Sequence, residues 1–82
     1  MRIKRINDRV LGQARHFNVE GKLKKQVLLF LDNPWHPGLH TEKLEPKNVG
    51  LYSFRLDKQF RAIFRIRDGA AEILKISKHY ED

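Results

Sequence analysis

Cysteine is missing from this 82-residue chain. Its absence excludes disulfides, thiolate metal sites and cysteine nucleophiles, and nothing else argues for an oxidising compartment. Long apolar runs are missing too. No stretch approaches the ~20 residues of a membrane span, and no signal-peptide core follows the N-terminus. The expectation is a cytoplasmic protein with no membrane association. There is no glycine-rich phosphate loop, no serine or threonine in a nucleophile elbow, and no acidic pair of the metal-ion nuclease kind. His36 and His40 are four apart, but in a Pro/Gly-rich loop where helical i,i+4 ligand geometry does not apply. They are expected to face solvent or staple the loop, and His16 to lie on a helix surface. No metal and no small-molecule cofactor is expected.

What is present is positive charge. Seventeen Lys and Arg against ten Asp and Glu give a net charge of +7. Residues 1–45 carry nine basic and five acidic side chains and residues 46–82 carry eight and five, so the excess is no separable tail. Such an excess favours polyanions: nucleic acid, the ribosome, anionic lipid or an acidic protein. Residues 1–82 are expected to form a single domain. A chain this short buries only ~60% of its unfolded surface, which leaves a thin margin of stability and a use for a stabilising partner.

The opening Arg2-Ile3-Lys4-Arg5-Ile6 fits a short strand, and Asn7 or Asp8 can cap a following helix. Val10, Leu11, Ala14 and Phe17 recur at helical spacing, predicting a helix over about residues 8–17. Glu20 to Asp32 reads as a second helix, with Leu23, Val27, Phe30 and Leu31 on one stripe, ended by Asn33-Pro34. From Leu51 the period changes to two. Leu51–Asp57, Phe60–Arg67 and Ala71–Ser77 form the strands of an antiparallel meander. The predicted fold is therefore α+β: a short N-terminal strand, two helices, then a three-stranded antiparallel meander. The helices should cover one sheet face and leave the other partly open.

Hairpin register follows from the alternation. Phe54 and Leu56 share a face with Phe60, Ala62, Phe64 and Ile66 only if the connecting loop is odd, as in Asp57-Lys58-Gln59. That register sets Arg55 directly opposite Arg61. Like charges in that relation are destabilising. The pair makes sense with a phosphate or carboxylate between the guanidiniums, or as long side chains splayed into water. The turn at Asp68-Gly69 leaves two registers. A two-residue loop pairs Arg65 with Glu72. A three-residue loop buries Leu74 and Ile76 and puts Lys75 and Ser77 on the arginine side; it buries more apolar surface and is preferred. His79 follows the last strand directly, and histidine suits proton transfer near neutrality.

The stretch from Gly50, GLYSFRLDKQFRAIFRIRDGAAEILKISKHY, resembles the C-terminal half of RelE/ParE-superfamily toxins of type II toxin–antitoxin systems. An aromatic opens a strand that bears an arginine, "FRAIF" stands where the family has aromatic/His-Arg-x-x-Tyr/Phe, and His-Tyr follows the final strand as in the YoeB branch. Residues 33–44, NPWHPGLHTEKL, resemble the NP-x-HP-x-LHT-x-KL loop of many such toxins. The likeness covers about residues 19–80. Phe64 departs from a tyrosine often found there, and Glu81-Asp82 extend the chain past His-Tyr.

The resemblance implies a RelE-like fold and a ribosome-dependent mRNA endonuclease that blocks translation by metal-independent attack of a ribose 2′-hydroxyl. It implies that Arg61 contacts the scissile phosphate, that His79 is the general acid, and that Tyr80 stacks on or orients a base. Glu42, ten residues before Tyr52, stands for the general base, with Glu45 as the fallback. Arg55, Arg65, Lys75 and Lys78 supply RNA and phosphate contacts. The implied partners are a cognate antitoxin with an acidic segment, mRNA and the ribosome. Two other readings stay open: a ParE-like toxin that binds DNA gyrase without nuclease activity, and a non-catalytic RNA- or antitoxin-binding relative. Trp35 and Tyr52 are read as loop-core packing or as contact aromatics.

Overall fold

A computed structural model describes residues 1–78; His79, Tyr80, Glu81 and Asp82 lie outside the described residues. Strand β1 (Arg2–Ile3) leads to helices α1 (Asp8–His16) and α2 (Glu20–Asp32), then to strands β2 (Glu42–Lys43), β3 (Leu51–Arg55), β4 (Phe60–Arg67) and β5 (Ala70–Lys78). Asn7 caps α1, its side-chain oxygen accepting the Val10 N–H at 2.9 Å. Asp8 in the first turn and Arg15 and His16 in the last complement the helix dipole. Helix α2 stops at Asn33 because Pro34 forces the residue before it out of the α region.

The two helices cover one face of the sheet. Val10 and Ala14 of α1 and Leu23 and Phe30 of α2 are buried against Phe54, Leu56, Ala62, Phe64, Ala71, Ile73 and Ile76. The Phe30 ring lies 5.3 Å from Phe54 and 5.1 Å, edge to face, from Phe64. Burying one such side chain is worth roughly 1.5–3 kcal/mol, so this aromatic centre is a principal source of stability.

The sheet has five strands in the order β1-β5-β4-β3-β2, and it is mixed. The expected three-strand meander is its centre. β1 is shorter than the predicted 2–6 and pairs in parallel with β5, while β2, unforeseen, lies antiparallel on β3. Each is two residues long, too short for a period of two to register in sequence.

The β3–β4 register is the one that the alternation required. Arg55 faces Arg61 and Phe54 faces Ala62. Asp57 organises the loop, its Oδ1 accepting the N–H groups of Gln59 and Phe60 at 2.8 Å each and its Oδ2 pairing with Lys22 Nζ at 2.8 Å.

The β4–β5 hairpin corrects the preferred alternative. Its loop is the two-residue Asp68-Gly69, both with positive φ (54° and 74°) as a type I′ turn requires, and Arg65 pairs with Glu72. Near the turn Ile73, not Leu74, is the buried residue. A register shift then falls between Ile63 and Phe64, where Leu74 is the extra residue. Beyond this bulge Ala62 faces Ile76, Ile63 faces Lys75, and Arg61 faces Ser77. Ile76 is thus in the core, with Lys75 and Ser77 on the arginine face. Each loop length describes one half of the hairpin, and the bulge reconciles them.

Candidate functional site

The sheet face away from the helices carries Ser53, Arg55, Arg61, Ile63, Arg65, Arg67, Lys75 and Ser77. At the end distal to the Asp68-Gly69 turn, Arg55 and Arg61 face each other, and the loop 36–43 comes alongside them. Arg61 does not splay into water. It is only 8% exposed. Its Nε donates to Ser53 Oγ at 2.8 Å, its Nη2 donates to the His40 carbonyl at 2.6 Å, and the same Nη2 lies 3.6 Å from Glu42 Oε1. Burial pushes the guanidinium pKa down; Glu42 favours its charged form and Arg55 opposes it. The anion that the arginine pairing called for is supplied in part by the protein itself, as the Glu42 carboxylate.

Arg55 is the half-buried, outer member of the pair. Its Nη1 lies 3.4 Å from His40 Nε2, and arginine has no acceptor, so the imidazole nitrogen accepts. Buried Gln26 fixes the strand end, its amide donating to the Arg55 carbonyl at 2.8 Å and the Gly38 carbonyl at 3.1 Å. One helix residue therefore positions both Arg55 and the loop beside it.

The loop is built around His36 and His40. His36 Nδ1 accepts the Gly38 N–H at 2.9 Å, a loop staple as expected. His40 closes the 3₁₀ turn Pro37–Leu39 in the left-handed conformation (φ 47°, ψ 45°). Glu42 follows as an exposed residue of β2 opposite Ser53, which puts its carboxylate on the arginine face. Glu45 is exposed beyond β2.

The other candidates separate into two groups. Lys75 is exposed on the arginine face opposite Ile63, and Lys78 is opposite Phe60 at the site end. Arg65 belongs to the other end, where Glu72 Oε1 holds it at 2.7 Å through Nη2 and 2.9 Å through Nε. His79 and Tyr80 lie outside the described residues. Tyr52 is on the core face, stacked on Phe64 at 5.4 Å, whereas Trp35 is 61% exposed. Among the described residues, no group of three or more His, Asp or Glu comes together to hold a metal.

No protein-family model matches the chain, and no curated protein matches it. A chain of the YoeB–YefM complex from Staphylococcus aureus superposes over 98% of this chain and 100% of that one, with a TM-score of 0.70 at 18% sequence identity. The fold is YoeB/RelE-like.

On this YoeB/RelE-like scaffold, sequence reasoning gave His40 only a solvent-facing or loop-stapling place and left Gln26 outside the site. His40 carried a signal, since it stands two residues before Glu42 in a loop already singled out. Gln26 carried a weaker one: a polar residue three after Leu23 and four before Phe30 falls on the buried side of α2. Such a residue must be bonding something there.

Proposed function

We propose that this protein is the toxin of a toxin–antitoxin pair and acts as an mRNA endonuclease on the translating ribosome, inhibiting translation. The observation that carries the reading is the convergence of Arg55, Arg61, His40 and Glu42 at one end of the sheet face that the helices leave uncovered. The YoeB/RelE-like fold and the resemblance of residues 33–44 and 50–80 support it. In-line attack of a 2′-hydroxyl needs cations for the crowded phosphorane, a base for the hydroxyl and an acid for the leaving 5′-oxygen.

In this proposal Arg55 takes the scissile phosphate. It is the accessible guanidinium, and only a 3.4 Å contact ties it to His40. Arg61 adds its fixed charge from beneath, and Glu42 keeps that buried charge compensated. Lys75 and Lys78 extend the basic track along β5. His79 protonates the leaving oxygen and Tyr80 stacks on a base. The engagement of Arg65 by Glu72 makes it a peripheral contact. A cognate antitoxin with an acidic segment would neutralise the same face.

A second reading draws on the internal engagement of Arg61: a non-catalytic relative that holds RNA or an antitoxin through Arg55 and the lysines. Induction of the protein, with mapping of mRNA 5′ ends and measurement of translation and of DNA replication, separates these possibilities. The endonuclease gives new 5′ ends within translated codons and an arrest of translation. An arrest of replication with intact mRNA identifies the gyrase-directed reading, and unaffected growth with persistent RNA binding identifies the non-catalytic one.

A further inference from the structure

We infer that His40, rather than Glu42, is the base that takes the 2′-hydroxyl proton; the inference rests on the endonuclease reading and refines it. The imidazole is exposed at the mouth of the site. Its backbone is fixed on both sides: the N–H is bound by the Pro37 carbonyl at 3.3 Å, and the carbonyl is bound by buried Arg61 at 2.6 Å. The left-handed conformation that sends the chain around this corner is uncommon for residues other than glycine, and histidine is among those enriched in it. A rigid corner therefore presents a movable ring.

The state of that ring follows from its neighbour. Because Arg55 has only donors, a hydrogen bond across this 3.4 Å contact requires the tautomer with the lone pair on Nε2 and the proton on Nδ1. In that tautomer Nε2 is an acceptor beside the cation best placed for the phosphate. When Arg55 turns its Nη1 to a phosphate oxygen, the long contact to Nε2 is given up and the lone pair is free for the 2′-hydroxyl. The step balances. The proton passes to Nε2, the 2′-oxygen forms its bond to phosphorus, the bond from phosphorus to the 5′-oxygen breaks, and that oxygen takes a proton from His79.

Glu42 is placed differently. Its carboxylate lies 3.6 Å from the Arg61 guanidinium, and protonating it would strip a buried cation of its counter-charge. A proton on His40 would instead be compensated by the phosphate that Arg55 binds. The charged groups around His40 are Arg55 on β3, in contact with its ring, and Arg61 on β4, bound to its carbonyl and paired in turn with Glu42 of β2.

The test is single-turnover cleavage of mRNA on purified translating ribosomes as a function of pH, with the full-length protein. The wild-type rate should fall toward acid pH as the base takes a proton, and the variants show which residue carries that limb. His40→Asn tolerates the left-handed backbone but cannot take the proton. It should lose ~10²–10⁴-fold in rate, and its residual rate should lack that acid limb. His40→Gly suits the same backbone and leaves room for a free base, so added imidazole should restore part of its rate. Glu42→Gln should cleave more slowly yet keep the acid limb. His40→Asn cleaving at the wild-type rate, an acid limb that persists in it, or a loss of the limb in Glu42→Gln overturns the assignment. A wild-type protein that cuts no ribosome-bound mRNA overturns the endonuclease reading itself, a distinguishable failure.

Discussion

The two ends of strand β4 carry the same kind of side chain in opposite circumstances. Toward the Asp68-Gly69 turn, Arg65 faces Glu72 and is held by it at 2.7 Å, and Arg67 lies 3.7 Å from the same carboxylate. At the other end Arg61 faces Arg55 on one side and Ser77 on the other, and among the described residues its counter-charge is Glu42, from a two-residue edge strand. One end is neutralised in register; the other keeps an excess of positive charge over a fixed polar framework. The residue that makes them different is Leu74, because the bulge there changes which β5 side chains face each half of β4. Electrostatic character along this strand is thus a consequence of register, and register of one extra residue.

Ile76→Lys should have the largest effect. The bulge turns Ile76 into the core opposite Ala62, where it is 4% exposed, so the substitution buries an ammonium group with no partner. The expected cost exceeds about 4 kcal/mol, a large part of the stability of so small a domain. Circular dichroism and denaturant titration should find the variant unfolded or nearly so, and a native-like melt would mean that the register runs through the hairpin without the bulge.

Next comes Arg61→Ala, which strands the Ser53 hydroxyl, the His40 carbonyl and Glu42 together. Stability should fall by about 1–3 kcal/mol, and single-turnover cleavage should drop at least ~10²-fold. A loss of stability without a loss of cleavage would make Arg61 a loop staple only. Ser77→Glu probes the comparison from the other side by giving Arg61 an opposed acid like the one facing Arg65. It should weaken RNA binding and flatten its dependence on salt, because the added negative charge offsets the site-end cations that a phosphate meets. An unchanged salt slope would show that the site end does not act through its charge.

A smaller effect is expected at the loop that sets the site-end register. Partial burial raises the Asp57 pKa, but the bonds from Lys22, Gln59 and Phe60 outweigh it and hold the carboxyl below its ordinary value. A carboxylate whose pKa is lower in the folded state stabilises above the unfolded value of ~3.9, and that contribution is lost as pH falls through the folded value. Asp57→Asn should therefore reduce stability at neutral pH and flatten its decline below about pH 4, seen in melting temperatures from pH 2 to 7. An unaltered acid profile would remove Asp57 from this role.

Much of this was legible in the amino-acid order. The 20–32 helix, a cap at Asn7 or Asp8 and the Arg55–Arg61 pairing follow from apolar spacing, capping chemistry and the one-face rule, because each is decided by neighbours within a few residues. β1 and β2 were not legible in the same way, since a two-residue strand is defined by its distant partner. Nor was the bulge: the apolar pattern of 71–76 supports two registers, and only packing against α1, where Gln13 Oε1 accepts the Ile76 N–H at 2.8 Å, shows that both are used. Of the candidate site, Arg55, Arg61 and Glu42 were named from resemblance and are brought together. The inward turn of Arg61 escaped, because a residue's place on a face does not say whether its side chain reaches water or a neighbouring loop.

The most direct measurement compares Arg55→Ala with Arg65→Ala, the two ends of the comparison, in single-turnover cleavage of ribosome-bound mRNA and in thermal melting. Arg55→Ala should lose ~10²-fold or more in cleavage with little change in melting, whereas Arg65→Ala should cleave within a few-fold of wild type and lose at most about 1 kcal/mol of stability. Equal losses in both variants, or undiminished cleavage by Arg55→Ala, would contradict the claim that the un-neutralised end of β4 is where this protein acts.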